Sequence, residues 1–325
     1  MNEQIQQYEK VYKQLKKLLR WELLDSKMPM HIASMYVLKE KEFSVEQYRF
    51  LSEHIKKSAS LFSPLRSSLR WTMTAVLDTG YEEPKKRLED VKRIYAELRS
   101  QKFKSGASTY TTALVLLSSG DRSVPFQEQT ARAMEVHRAM RKEHPFITSE
   151  HDYPLASLLA QREEDTKRLM NRIEYFYKEA SGLGLRKGND LQFLSHILSL
   201  DENHEKEELI ERTEAALDKW KKAGLKLKTM HYPVIALLAL TSIEAETFEE
   251  IKKTTDELNA KKTFRWHKDW NSLTAANMVL VTLFDQQKAM QIQLFTTMET
   301  VMEAQNAAMV AMIAGGAVAS TSAGS

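Results

Sequence analysis

One short pattern recurs seven times along this 325-residue chain at nearly constant spacing. In each copy an aromatic or other bulky residue opens a segment of small and aliphatic residues, and successive opening positions lie 38 to 43 residues apart. These positions are His31, Trp71, Tyr110, Tyr153, Leu191, Tyr232 and Trp270. A fixed period of about 40 residues is typical of helical repeat proteins, because each unit buries its apolar face only against its neighbours.

Longer, heavily charged segments lie between these apolar segments. Within 83–101, for example, Leu88, Val91, Ile94 and Leu98 recur at three- and four-residue steps, which is the period of one helix face. The chain has only 10 Gly and 7 Pro, so its connections must be short. Gly182 and Gly224 follow two charged segments and suit left-handed helix caps. Each unit is therefore predicted to be a hairpin of an outer charged helix, a turn and a more buried apolar helix.

Stacking about seven such hairpins predicts an all-α fold, an α-solenoid-like array over residues 1–284. A closed α/α toroid with the apolar helices inside is the alternative, and the pattern does not choose between the two. Residues 285–325 depart from the pattern because they are rich in Met and Ala. They are predicted to form a C-terminal helix followed by a frayed tail of small residues.

The seven-fold pattern and the C-terminal sequence AAMVAMIAGGAVASTSAGS resemble a full-length, all-helical family of bacterial proteins known as a domain of unknown function. The resemblance covers nearly the whole chain and rests on pattern and length. It implies a bacterial cytosolic protein. It brings no activity, cofactor or site residue with it.

Composition excludes several kinds of chemistry. The 47 basic and 44 acidic side chains give a net charge of +3, which is unlike a dedicated DNA-binding domain. Without cysteine there is no disulfide, thiolate metal site or cysteine nucleophile. His137, His144 and His151 are evenly spaced, but Pro145 interrupts any helix that would align them. We therefore expect neither a metal site nor a cofactor.

The location of the protein is expected to be cytoplasmic. The first residues form an amphipathic charged segment without the uninterrupted apolar stretch of a secretory signal. The apolar part of the C-terminal region is about a dozen residues, against the ~20 that span a bilayer.

Basic residues and histidines gather where the apolar helices are predicted to begin. In a regular array these helix N-termini lie along one edge, where helix dipoles, imidazoles and Lys or Arg together favour a phosphate, a nucleotide or an acidic peptide. The candidate anion-binding residues are His31, Lys104, His151, Arg186, Lys187, Lys226, Lys228, His231, Arg265 and His267.

The Met-rich C-terminal segment offers adaptable apolar contacts. It is expected either to cap the end of the array or to dock a partner or a second copy of the chain. The candidate docking residues are Met290, Met298, Met302, Met309 and Met312.

No recognisable catalytic motif accompanies the repeated pattern. The leading interpretation is a non-enzymatic helical-repeat protein that binds a protein or peptide partner along one surface. Two alternatives stay open: an enzyme of the α/α-toroid class with a central carboxylate or histidine site, and a sensor that binds an anion or nucleotide at the predicted edge. Neither DNA binding nor a membrane span is expected, and a homo-oligomer formed through the C-terminal helix is compatible with the pattern.

Overall fold

The computed structural model describes residues 1–20, 27–119, 124–241 and 244–287. Within these ranges the chain forms fourteen α-helices and no β-strand, so the predicted all-α fold is confirmed. Short 3-10 turns, at Pro64–Arg66, Glu150–Asp152 and Thr229–His231, each precede an even-numbered helix.

The odd-numbered helices are the charged, amphipathic ones. They are α1 (Asn2–Leu19), α3 (Val45–Ser58), α5 (Pro84–Ser100), α7 (Phe126–Glu143), α9 (Thr166–Gly182), α11 (Lys206–Lys222) and α13 (Ala245–Ala260). In α5 the predicted stripe of Leu88, Val91, Ile94 and Leu98 is fully buried, while the intervening charges face solvent. Burying such aliphatic side chains contributes about 1.5–3 kcal/mol each, which fixes the orientation of the helix.

The even-numbered helices carry the seven apolar segments. They are α2 (Lys27–Leu38), α4 (Leu69–Gly80), α6 (Ala107–Ser119), α8 (Tyr153–Leu159), α10 (Asn189–Ser199), α12 (Tyr232–Ala239) and α14 (Lys268–Gln287). Every residue of α12 is buried. Because a helix that is apolar all round needs covering on every side, it must be surrounded by other helices.

The described residues form two compact units, the first from 1–134 and 149–157 and the second from 135–148 and 158–287. In the first unit α1, α3 and α5 pack on α2, α4 and α6 as successive hairpins, and α3 also contacts α1 and α5. In the second unit α9, α11 and α13 pair in the same way with α10, α12 and α14, and α12 contacts both α10 and α14. Whether the seven hairpins build an open solenoid or a closed toroid stays a prediction.

The opening tyrosines of three apolar segments each bond to the turn of the preceding hairpin. The hydroxyl of Tyr110 lies 3.2 Å from that of Ser63. The hydroxyl of Tyr153 accepts the backbone N–H of Lys104 at 3.4 Å, and the hydroxyl of Tyr232 accepts that of Arg186 at 2.9 Å. All three rings are buried, as expected for residues that join neighbouring hairpins rather than for exposed stacking platforms.

A glycine in the left-handed conformation follows two of the charged helices. After α11 it is the predicted residue, and after α9 it is a different one. Gly224 has a φ of 74°, the left-handed conformation predicted for a cap after α11. Gly182 is the last residue of α9, and the left-handed residue is Gly184, with a φ of 87°. The left-handed prediction at Gly182 is therefore wrong by two residues, because α9 continues through it and Leu183 still bonds back to Glu179.

The boundary predicted at residue 284, between the repeat array and the C-terminal segment, falls inside α14, which continues to Gln287. The remainder of the predicted C-terminal segment, including Met290, Met298, Met302, Met309 and Met312, lies outside the described residues. Among the helices of the described ranges, none has the length and apolarity needed to cross a membrane.

Candidate functional site

Four turns of the second unit lie between an odd-numbered and an even-numbered helix, and together we name them the turn edge. The turn edge consists of residues 144–148, 183–188, 223–228 and 261–267. The last three lead directly or through a short 3-10 turn into α10, α12 and α14, so the N-terminal ends of these helices lie at this edge. Helix N-termini add positive potential to whatever side chains the turns carry.

Hydrogen bonds tie each turn to the next hairpin. The Gln192 side chain on α10 donates from Nε2 to Thr148 Oγ1 at 2.9 Å, which joins the first turn to the second hairpin of the edge. The Arg186 N–H donates to the Tyr232 hydroxyl at 2.9 Å, which joins the second turn to α12. These bonds hold consecutive turns side by side.

His231 makes the third of these connections. Its Nδ1 accepts the Lys228 N–H at 2.9 Å, so the ring hydrogen lies on Nε2, which donates to the Asp269 carbonyl at 3.0 Å. The Ser272 hydroxyl donates to the same carbonyl at 3.0 Å. Burial lowers the pKa of His231, against the opposing effect of the Asp269 carbonyl. The residue is thus a neutral link between α12 and α14 and not an exposed anion ligand.

The charge of the turn edge has one sign. Its four turns contain seven Lys or Arg residues and no Asp or Glu. The predicted cations are Arg186, Lys187, Lys226, Lys228 and Arg265, all of them exposed. None of these five forms an ion pair with a residue that the structure describes. Lys261 and Lys262, which were not among the predicted anion-binding residues, complete the seven.

Hydrophobic side chains also project from the turn edge, and sequence reasoning missed them. Phe146 is 99% exposed, Trp266 is 79% exposed and Leu227 is 37% exposed. The Arg265 guanidinium lies 5.0 Å from the centre of the Trp266 ring. Phe146 occupies the position at which the corresponding turns bury Leu225 or Phe264, yet it is almost fully exposed.

The remaining predicted anion ligands are not exposed, unpaired groups of the turn edge. In the first unit His31 is buried in α2, and Lys104 Nζ pairs with Glu150 Oε1 at 2.5 Å. The hydrogen bond from Lys104 lowers the pKa of Glu150. His151 Nδ1 lies 3.3 Å from the Ser108 hydroxyl. His267 is half-buried on the last turn of the edge, and its backbone carbonyl accepts the N–H of Asn271 in α14.

A second polar cluster lies inside the second unit. His196 on α10 is completely buried, and neither of its ring nitrogens has a hydrogen-bond partner among the described residues. Burial, together with the smaller effects of nearby His144 and His137, lowers the pKa of His196 to about 3. His144 Nε2 lies 2.6 Å from Glu174 Oε1. In the described ranges, no group of three or more His, Asp or Glu side chains is arranged to hold a metal ion.

Comparisons with known proteins identify relatives without an assigned activity. A family model described as "Protein of unknown function (DUF4003)" matches residues 11–307. The "Uncharacterized protein YeaA" of Bacillus subtilis (strain 168) is 32% identical over 321 residues, which cover 98% of this chain and 97% of the relative. No solved structure matches.

Proposed function

We propose that this chain, which belongs to the DUF4003 family of proteins of unknown function, is a non-enzymatic protein that binds an anionic partner through its turn edge. The observation that carries the proposal is the unbalanced charge of the edge. Seven cations lie on the last three of its four turns, and no residue of the four turns is a carboxylate, in a chain whose overall charge is only +3.

Like charges crowded on one surface repel one another, so such a surface is stabilised by an anion brought from outside. The outer helices offer a contrast, because their cations have carboxylates beside them. Lys253 on α13 lies 3.5 Å from Glu250, and Arg168 on α9 lies 3.2 Å from Asp165. The positive ends of α10, α12 and α14 also lie at the turn edge, and the first turns of α10 and α14 carry the acidic residues Asp190 and Asp269.

The non-enzymatic part of the proposal rests on the burial of the most perturbed histidine. His196 lies in the core of the second unit, where it contacts no solvent. Its lowered pKa has burial as its first cause, so it reflects packing rather than a group poised to exchange protons with a substrate.

An acidic peptide is one of the anions that the sequence favours at this edge, beside a phosphate and a nucleotide, and labelled polyglutamate is its simplest probe. Neutralising Arg186, Lys187, Lys226 and Lys228 to Gln or Ser removes four cations from the edge. At about 0.5 kcal/mol for each exposed ion pair, binding should weaken by about 2 kcal/mol, or roughly thirtyfold. The affinity of the unaltered protein should also fall as salt is added, because exposed charges are screened.

The matched control neutralises one Arg and three Lys on the outer helices: Lys167, Arg168, Lys178 and Lys253. Both variants lose four positive charges, so a general effect of net charge would weaken both equally. Fluorescence anisotropy of the labelled polyglutamate measures the two affinities. Equal affinities of the edge variant and the control variant would overturn the proposal.

A further inference from the structure

Three exposed hydrophobic side chains, Phe146, Leu227 and Trp266, form the tips of the turn edge, and the last two have cations beside them in sequence. Leu227 is flanked in sequence by Lys226 and Lys228, and Trp266 follows Arg265. Scattered exposed hydrophobic residues are ordinary on a protein surface, but here three of the six large exposed ones in the described residues lie on one row of turns. Hydrogen bonds tie the first two turns to α10 and α12, and His231 ties the start of α12 to α14, which keeps these side chains along a common edge.

The hydrophobic side chains protrude from the turns instead of lining a groove, and this geometry favours one class of anionic partner over another. Phe146 is almost completely exposed at a turn, and so is most of Trp266. Peptides are normally recognised in grooves or at sheet edges, where the receptor encloses the ligand side chain. A protruding aromatic ring with a cation beside it suits a deformable surface, in which the ring enters the apolar boundary and the cation stays at the level of the phosphates.

We infer that the anionic partner of the turn edge is the surface of a phospholipid bilayer that carries acidic headgroups. The inference rests on the proposed function, since it names the partner of the same edge. The exposed Lys and Arg side chains bind the lipid phosphates and acidic headgroups, while Phe146, Leu227 and Trp266 enter the boundary between headgroups and acyl chains. The protein docks on the membrane and does not cross it.

The test uses the full chain and vesicles made of equal parts phosphatidylcholine and phosphatidylglycerol, with phosphatidylcholine vesicles for comparison. The chain should sediment with the acidic vesicles and stay in solution with the neutral ones. The double variant Phe146→Ser with Trp266→Ser should bind the acidic vesicles at least tenfold more weakly, because burying even one such ring from water favours binding by about that factor or more. Its polyglutamate affinity should not change.

Phe50→Ser is the matched control, since Phe50 is 62% exposed but lies on α3 rather than on a turn. The substituted rings are all largely exposed, so thermal unfolding of the variants should coincide with that of the unaltered chain. Brominated acyl chains give a direct readout of insertion. They should quench tryptophan fluorescence in the unaltered protein and quench it much less in Trp266→Phe.

The outcomes separate the two proposals. Vesicle binding that is unchanged in the Phe146 and Trp266 double variant overturns the bilayer inference. Binding to polyglutamate with none to acidic vesicles also overturns it, and identifies an acidic polypeptide as the partner. If neutralising Arg186, Lys187, Lys226 and Lys228 changes neither interaction, the proposed function itself fails.

Discussion

Replacing His196 by leucine should reduce the stability that the protein loses when the pH falls from 7 to 5. The imidazole is fully buried on α10, and burial lowers its pKa from 6.5 to about 3. The unfolded chain therefore binds a proton at a pH at which the folded chain does not. Stability must fall as the pH drops through this window, because acid favours the state that binds more protons.

The size of the effect follows from the two pKa values. At pH 5 the histidine of the unfolded chain is almost fully protonated, and that of the folded chain is almost fully neutral. The difference stabilises the unfolded state by about 2 kcal/mol at pH 5 and by only about 0.2 kcal/mol at pH 7. His196→Leu abolishes this contribution. At pH 7 the variant should be no less stable than the parent, and the two free energies of unfolding should differ by no more than about 1 kcal/mol. The reason is that the substitution removes from the core two ring nitrogens that have no hydrogen-bond partner among the described residues.

Urea unfolding followed by circular dichroism at pH 7 and at pH 5 measures the four free energies of unfolding. The parent should lose about 2 kcal/mol more than His196→Leu between the two pH values. His231, whose pKa burial also lowers, contributes equally to both proteins and cancels. Phe176→Leu, a buried substitution on α9, should cost about 1–2 kcal/mol at both pH values alike. Equal acid losses in the parent and in His196→Leu would refute the reasoning.

Three further substitutions test the packing of the hairpins. Tyr232→Phe removes the acceptor of the Arg186 N–H and should cost about 1 kcal/mol in urea unfolding, with faster hydrogen exchange at Arg186 than in the parent. Tyr36→Phe leaves the buried Asp78 carboxylate without the hydroxyl that donates to it at 2.5 Å, and should lower the free energy of unfolding by about 1–3 kcal/mol in the same assay. Gly224→Ala places a Cβ at a φ of 74° and should lower that free energy by about 1 kcal/mol, and a melting temperature equal to that of the parent would contradict the strain.

Periodicity was sufficient to predict the helices, and it could not predict what happens where they meet. The opening positions, such as Trp71 and Tyr232, all fall on even-numbered helices because the alternation of apolar and charged segments is a local property of the sequence. The partner of Lys104 is Glu150, which lies 46 residues away, and such a pairing depends on how hairpins stack. The same holds for His231, whose Nε2 donates to the Asp269 carbonyl of the next hairpin.

Phe146 shows the limit most clearly. A phenylalanine in the register of Leu225 and Phe264 is expected to be buried like them, yet it is almost fully exposed. Hydrophobicity alone does not distinguish a core residue from one that awaits a partner. The basic character of the turn edge was predictable, because charge and position are both visible in the sequence. The exposure of its aromatic rings was not, because it depends on how each turn packs against the neighbouring hairpins.

The bonds from Tyr153 and Tyr232 to the preceding turns use a backbone N–H as the donor, at Lys104 and at Arg186. Any residue except proline presents the same donor, so these fastenings place almost no demand on the identity of the side chain there. Substitutions at those turns can therefore change the exposed side chains while the tyrosines keep the hairpins in register. Divergent members of such a lineage would keep one scaffold and exchange the ligands that it displays.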